Sequence, residues 1–173
     1  MMMTEQMIME EARKYMQPAA QIRAERPVRV PQMRIRLMET GIEYGADMIR
    51  NRKDLEKFCV RLNEDEAFEK FSVIAVNAQC RPIGIYSIMG ALSEVNAYPR
   101  VITTFALLAN AHSVFLTHNH PGGTCAPSTD DITSTVRIQR ILRELGIMVL
   151  DHLITTPEGQ CYSMAQHGDI SIP

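Results

Sequence analysis

The 173-residue sequence lacks three features that would assign it to a specialised class of protein. It has no excess of charge, since 18 basic residues face 20 acidic ones and the net charge is −2, so it shows no overall nucleic-acid footprint. It has no apolar run long enough to span a bilayer, and residues 1–15 lack the basic stretch and apolar core of a signal peptide. We therefore expect a cytoplasmic protein that makes no membrane contact.

Cysteines are few and scattered. None of the four lies in a CxxC spacing, so neither a zinc ribbon nor a disulfide framework is indicated, and we expect reduced, mostly structural thiols. The composition, 46% hydrophobic and 22% charged, is typical of a soluble globular protein. The length fits one domain with a short appendage. The sequence gives no indication of the oligomeric state.

The composition shifts within the first fifty residues. Residues 4–16 predict a Met-rich amphipathic helix, and three prolines between residues 17 and 33 then disfavour a continuous helix. We predict an N-terminal helix and a Pro/Arg-rich arm over residues 1–45, followed by one domain over residues 46–173.

The arm carries a local excess of positive charge. Between Gln21 and Arg36, five arginines face one glutamate, a local charge of +4. The arginines of VRVPQMRIRL alternate with apolar residues, as in a strand with one apolar face. A solvated edge strand explains this pattern, since edge strands commonly carry charge, and a phosphate-binding stripe is the alternative. The stretch from Arg23 to Arg36 is therefore the candidate for contacting DNA.

From about residue 45 onward, helical and strand periodicities alternate. The predicted helices cover residues 46–62, 99–110 and 129–145. The predicted strands are FSVIAVNAQ, RPIGIYSIMG, HSVFLTH, IMVLDHLIT and QCYSM. The polar turn between the first two strands indicates an antiparallel hairpin. This alternation predicts an α/β domain in which helices pack on a mixed sheet.

The most informative stretch is HNHPGGTCAPSTDD, residues 118–131. His118 and His120 lie at i and i+2 where an apolar strand ends, so extended geometry projects both imidazoles to one side. The glycine-containing turn can fold back and return Asp131 near them, while Ser128 lies where a helix N-cap is expected. Imidazole and carboxylate are suitable zinc ligands, and catalytic zinc typically takes three protein ligands.

Each part of this stretch also has a simpler explanation. Ser-x-x-Asp before an apolar helical pattern is explained by helix capping alone. Asp130 would be the ligand if the cap register differed by one, although it is better explained as first-turn charge favouring the helix dipole. Cys125 is interpreted as a plain loop residue and His152 as a structural histidine with satisfied hydrogen bonds.

The complete pattern, H-x-H-x7-S-x-x-D, resembles the signature of the JAB/MPN-type (JAMM) metallopeptidase family. HNHP followed by a Gly-containing turn and PS-x-x-D is similar to its bacterial RadC branch. The resemblance extends to FSVIAVNAQCRPIG, YPRVITTFALLANAHSVFLTHNHP and LDHLI and covers about residues 50–165. It implies a JAB/MPN-like (cytidine-deaminase-like) fold and a Zn²⁺ ion held by His118, His120 and Asp131.

The resemblance also implies a general base. The family has a glutamate near the start of its first hairpin, and Glu69, two residues before Phe71, matches that position best, with Glu66 as the fallback. The implied function is a zinc-dependent metallohydrolase that cleaves an amide bond in a peptide or protein substrate. Glu69 would take a proton from metal-activated water, and Ser128 would orient or stabilise the reacting carbonyl.

Two other functions stay open at this point. RadC relatives, which are named for DNA repair, suggest DNA or partner binding instead of proteolysis. They often carry a helix-hairpin-helix domain ahead of the JAB unit, for which the first fifty residues are too few and too Pro-interrupted. A scaffold with a vestigial site is the third possibility, although all the expected ligand types are present.

Overall fold

The computed structural model describes residues 48–64, 66–90 and 99–172. The predicted N-terminal helix, the Pro/Arg-rich arm and the arginines from Arg23 to Arg36 lie outside the described residues, so these expectations stay predictions. None of the helices in the described ranges is long and apolar enough to cross a membrane.

Helices and strands alternate along this part of the chain. In order, the elements are α1 (Arg52–Asn63), β1 (Lys70–Val76), β2 (Pro82–Met89), α2 (Pro99–Leu108), β3 (Ser113–Asn119), α3 (Thr129–Glu144), β4 (Met148–Thr155), β5 (Cys161–Ser163) and α4 (Met164–His167).

The five strands form one mixed sheet in the order β2-β1-β3-β4-β5. β1 pairs antiparallel with both β2 and β3, β3 pairs parallel with β4, and β4 pairs antiparallel with β5. The parallel pair is joined through α3, since parallel strands need a crossover connection. The prediction of an α/β domain with helices on a mixed sheet is confirmed.

The sheet separates two hydrophobic layers. β1 is buried along its whole length, and its side chains alternate between the two faces. Phe71 and Val73 pack with α2 and α3 through Ile102, Ala106, Ile138 and Leu142. Ile74 and Val76 pack with α1 through Leu55, Phe58, Cys59 and Leu62. The domain therefore has α1 on one face of the sheet and α2 with α3 on the other.

Most observed boundaries differ from the predicted ones by one to three residues, and β1 ends at Val76 and not at Gln79 as predicted. α1 begins at Arg52, later than predicted, because the extended Asn51 caps it by accepting a hydrogen bond from the backbone N–H of Asp54. α4 is a single turn that the sequence pattern did not indicate. β3 continues to Asn119, one residue beyond the predicted end. All four cysteines are free thiols, as expected.

Candidate metal centre

The end of β3 positions the two histidines of the motif. His118 lies in the strand opposite Phe71 of β1 and is only 2% exposed. His120 follows the strand end, where its backbone N–H donates to the carbonyl oxygen of Thr155 at 2.8 Å and keeps it alongside β4. Both imidazoles project from the same face, as predicted, with the two Nε2 atoms 2.9 Å apart.

The turn after His120 returns the chain to the same place. Gly123 adopts φ +82°, a conformation that favours glycine, and α3 then begins at the Ser128 N-cap. Ser128 and Asp131 form a reciprocal capping box. The Asp131 Oδ2 atom accepts from the Ser128 backbone N–H at 2.8 Å and from the Ser128 hydroxyl at 2.6 Å. The capping interpretation is confirmed, and it leaves Oδ1 available.

The same carboxylate also faces the histidines. Asp131 Oδ1 lies 3.4 Å from His118 Nε2, and Oδ2 lies 3.7 Å from His120 Nε2. Asp131 is 5% exposed, whereas its neighbour Asp130 is exposed to solvent. Asp131, and not Asp130, is therefore the aspartate that the helix start places beside the histidine pair.

The three side chains form a group that could hold a metal ion. A tetrahedral zinc ion with bonds of about 2.0–2.1 Å holds its ligand atoms roughly 3.3 Å apart. His118 Nε2 lies 2.9 Å from His120 Nε2 and 3.4 Å from Asp131 Oδ1, so these two separations are close to that value. The His120 Nδ1 atom donates to the carbonyl oxygen of Thr124 at 2.7 Å, which leaves a lone pair on its Nε2. The donor set fits zinc.

The electrostatics of the group favour a negative carboxylate beside the imidazoles. Burial opposes the charged form of Asp131, but the contacts with the imidazoles of His118 and His120 outweigh it and hold the pKa of the carboxyl well below its usual range. The nearby carboxylate of Asp131 raises the pKa of His120, and the charge of Glu69 contributes in the same direction.

The two candidate glutamates lie on different sides of the strand entrance. Glu69 precedes β1, and continuing the pairing of Phe71 with His118 by two residues places it opposite His120. Glu66 is instead paired with Lys70. The Lys70 ammonium also donates to the carbonyl oxygen of Leu62 in α1 at 2.6 Å. Glu66 is thus held towards α1, whereas strand alternation assigns Glu69 to the histidine side, in agreement with the effect of its charge on His120.

Asn119, between the two histidines, connects their strand to the segment that carries Glu69. Its Oδ1 accepts from the backbone N–H of Lys70 at 2.7 Å. Its Nδ2 donates to the carbonyl oxygens of Phe68 at 3.0 Å and Glu66 at 3.3 Å. Three hydrogen bonds from one buried side chain therefore fix the backbone on both sides of Glu69.

The comparisons with known proteins show the family of this domain. A family model described as the RadC-like JAB domain matches residues 49–169. The chain belongs to the RadC-like JAB domain family. The predicted resemblance is thereby confirmed, and the match includes both histidines, Asp131 and Glu69.

Among its relatives, this RadC-like JAB domain is 32% identical over 149 residues to a UPF0758 protein of Pseudomonas entomophila, covering 82% of this chain and 65% of the relative. It is 39% identical over 102 residues to a UPF0758 protein of Variovorax paradoxus, covering 58% of this chain and 45% of the relative. The chain thus matches less than two thirds of the length of these curated relatives.

Three side chains of the RadC-like JAB domain that touch this site lie outside the H-x-H-x7-S-x-x-D pattern. They are Asn119, Thr135 and His152. His152 was interpreted as a satisfied structural histidine, and both of its ring nitrogens are indeed hydrogen-bonded. One partner, however, is His118. His152 lies in the LDHLI segment that carries part of the family resemblance. Only the pairing of β3 with β4 shows that its side chain contacts His118.

Cys125 lies in the turn between the histidines and α3. It packs against the cluster of Ile154, Met164 and Ile170. This packing agrees with its interpretation as a loop residue.

Proposed function

We propose that this RadC-like JAB domain is a zinc-dependent hydrolase that cleaves an amide bond, in a peptide or isopeptide linkage of a peptide or protein substrate. The observation that carries the proposal is the group formed by His118, His120 and Asp131, whose possible ligand atoms all lie within 4.8 Å of one another. Two imidazoles and one carboxylate are a typical catalytic zinc set, which leaves a fourth position for water or substrate.

The residues around the site have separate roles in this proposal. A zinc ion, when bound, supplies the Lewis acidity that makes water a nucleophile near neutral pH. Glu69 accepts the proton of the attacking water and then donates it to the leaving amine. His118, His120 and Asp131 would hold the ion at the carboxyl-terminal end of β3, the central strand of the sheet.

The observed hydrogen bonds of Ser128 change the role that was predicted for it from the sequence. Its hydroxyl proton is directed to Asp131 Oδ2. We propose that Ser128 orients the ligand carboxylate, and that it stabilises the carbonyl oxygen only when its hydroxyl turns towards substrate.

The proposal is tested by metal loading and by a substrate panel. Purified protein is stripped with a chelator, reloaded with zinc, and assayed on fluorogenic peptides and on isopeptide-linked peptides. We expect cleavage that disappears with chelator and returns with zinc. A zinc-loaded, folded protein that cleaves none of these linkages would contradict the proposal. The arginines from Arg23 to Arg36 would then be tested for DNA binding that weakens steeply with salt.

The Asn119 contacts lead to a prediction about rate. Asn119→Asp keeps an acceptor for the Lys70 N–H but loses both donors, so the backbone beside Glu69 is no longer fixed. Because small displacements of a catalytic group can cost up to about 100-fold, we expect kcat to fall by roughly tenfold or more. Zinc content, measured by mass spectrometry, should be retained.

A matched control uses the other end of β1. Asn77 caps the β1–β2 turn by accepting from the backbone N–H groups of Gln79 and Arg81. Asn77→Asp keeps both acceptor roles and should leave kcat unchanged. Equal kcat values for Asn119→Asp and the parent would show that Asn119 does not position Glu69.

A further inference from the structure

A chain of buried hydrogen bonds runs from α3 to the ligand His118. His118 Nδ1 lies 2.8 Å from His152 Nε2, and His152 Nδ1 lies 2.6 Å from the Thr135 hydroxyl oxygen. Thr135 and His152 are fully buried, and His118 is nearly so. No solvent competes for these protons, so the hydrogen bonds themselves determine where each proton lies.

One backbone carbonyl determines which atom donates and which accepts in each of these hydrogen bonds. The Thr135 oxygen also lies 2.6 Å from the carbonyl oxygen of Asp131, to which the hydroxyl can only donate. With its single proton used there, the Thr135 oxygen accepts from His152 Nδ1. The His152 Nε2 atom is then an acceptor, and it takes its proton from His118 Nδ1.

The donor-to-acceptor direction of these hydrogen bonds decides whether His118 can bind a metal. When Nδ1 carries the proton, the lone pair of Nε2 points towards His120 and Asp131. In the reverse direction, His152 would donate to His118 Nδ1, and the proton of the neutral His118 would lie on Nε2. That is the nitrogen that must be unprotonated to coordinate an ion.

We infer that Thr135 and His152 are positioning residues that fix His118 in its Nδ1-protonated tautomer and so prepare its Nε2 as a metal donor. The inference rests on the metal site of the proposed function but not on amide hydrolysis. Neither residue touches the substrate in this account. Both act through His118.

The tautomers are measured directly in the metal-free protein. Long-range ¹H–¹⁵N correlation spectra of ¹⁵N-labelled protein identify which ring nitrogens of each histidine carry a proton. We expect Nδ1–H for both His118 and His152. A spectrum with His152 protonated on Nε2, or with no proton on His118 Nδ1, would overturn the inference, whether or not the protein binds zinc.

Substitutions at Thr135 then test the consequence for zinc. Thr135→Val preserves the shape of the side chain but leaves the buried His152 Nδ1 without an acceptor. We expect the zinc dissociation constant to rise by about 10-fold or more, as when other residues that support a metal ligand by hydrogen bonds are lost. The constant is measured by competition with a chromophoric chelator. Thr135→Ser restores the hydroxyl and should bind zinc like the parent.

Thr133 provides the matched control, because it is exposed on the same helix. Thr133→Val should not change zinc affinity, and circular dichroism should show α3 intact in every variant. Parent-like affinity in folded Thr135→Val would overturn the inference. If the parent itself bound no zinc, the proposed function would fail, and the tautomer spectra would still decide whether Thr135 and His152 orient His118.

Discussion

Alanine in place of Asp131 is expected to abolish stoichiometric zinc binding and to weaken the start of α3. The two effects arise from the two oxygens of one carboxylate, since Oδ2 accepts from the Ser128 cap while Oδ1 faces His118. Losing a residue that hydrogen-bonds to a metal ligand weakens metal binding by up to about 100-fold. Losing the ligand itself should weaken zinc binding by more than that. Losing the capping box should lower the free energy of unfolding by about 1 kcal/mol.

Two further variants separate these effects. His118→Ala removes a ligand and leaves the cap, so it should lose zinc. Ser128→Ala removes the hydroxyl of the cap and leaves all three ligands, so it should lose stability while keeping most of the zinc. Zinc content is measured by mass spectrometry, and stability is measured by urea unfolding of the metal-free proteins, where bound ions do not contribute.

Asp130→Ala is the matched control, because Asp130 is the exposed neighbour on the same turn. It should leave zinc content unchanged. Stoichiometric zinc in Asp131→Ala together with zinc loss in Asp130→Ala would show that the cap register differs by one in solution.

The candidate ligand set could be predicted from the sequence because its geometry is local. The alternation of a strand fixes His118 and His120 on one face, and a capping box fixes the Ser128 and Asp131 pair within one helical turn. A short turn between the histidines and the helix is then enough to place Asp131 beside them. These relations span at most 13 residues, the separation of His118 and Asp131.

The contact between His118 and His152 was not predictable in this way. It depends on the register of the parallel β3–β4 pair, which shifts by one residue between Val114 and Phe115. Without that irregularity, His118 would lie beside Leu153 instead of Ile154, and His152 would project to the opposite face. A one-residue irregularity inside an apolar strand has no reliable signature in composition or periodicity.

The contacts of Asn119 were missed for a related reason. They join residues about fifty positions apart, and they depend on how the segment before β1 enters the sheet. The sequence motif gave the identity of the residue between the histidines but not its partners. Its side chain points away from the metal ligands, so a search for ligands passes over it.

Glutamine in place of Glu69 is expected to eliminate most hydrolysis while leaving zinc bound. The amide keeps the size of the side chain but cannot accept the proton of water, and losing a general base typically costs about 10²–10⁴-fold in rate. Glu66→Gln is the control, because the Glu66 carboxylate is paired with Lys70 on the side of α1. It should retain kcat. The measurements are kcat on a cleaved peptide and zinc content of each variant.

The double variant carrying Glu69→Gln and Asn119→Asp shows whether the two residues act as a unit. If Asn119 acts only by positioning Glu69, its substitution has nothing left to disturb once the carboxylate is gone. The double variant should then be no slower than Glu69→Gln alone, because the effects of residues that act together are not additive. Additive losses would mean that Asn119 supports the strand end, and with it the histidines, independently of the base. Loss of activity in Glu66→Gln with retention in Glu69→Gln would instead assign the proton transfer to Glu66.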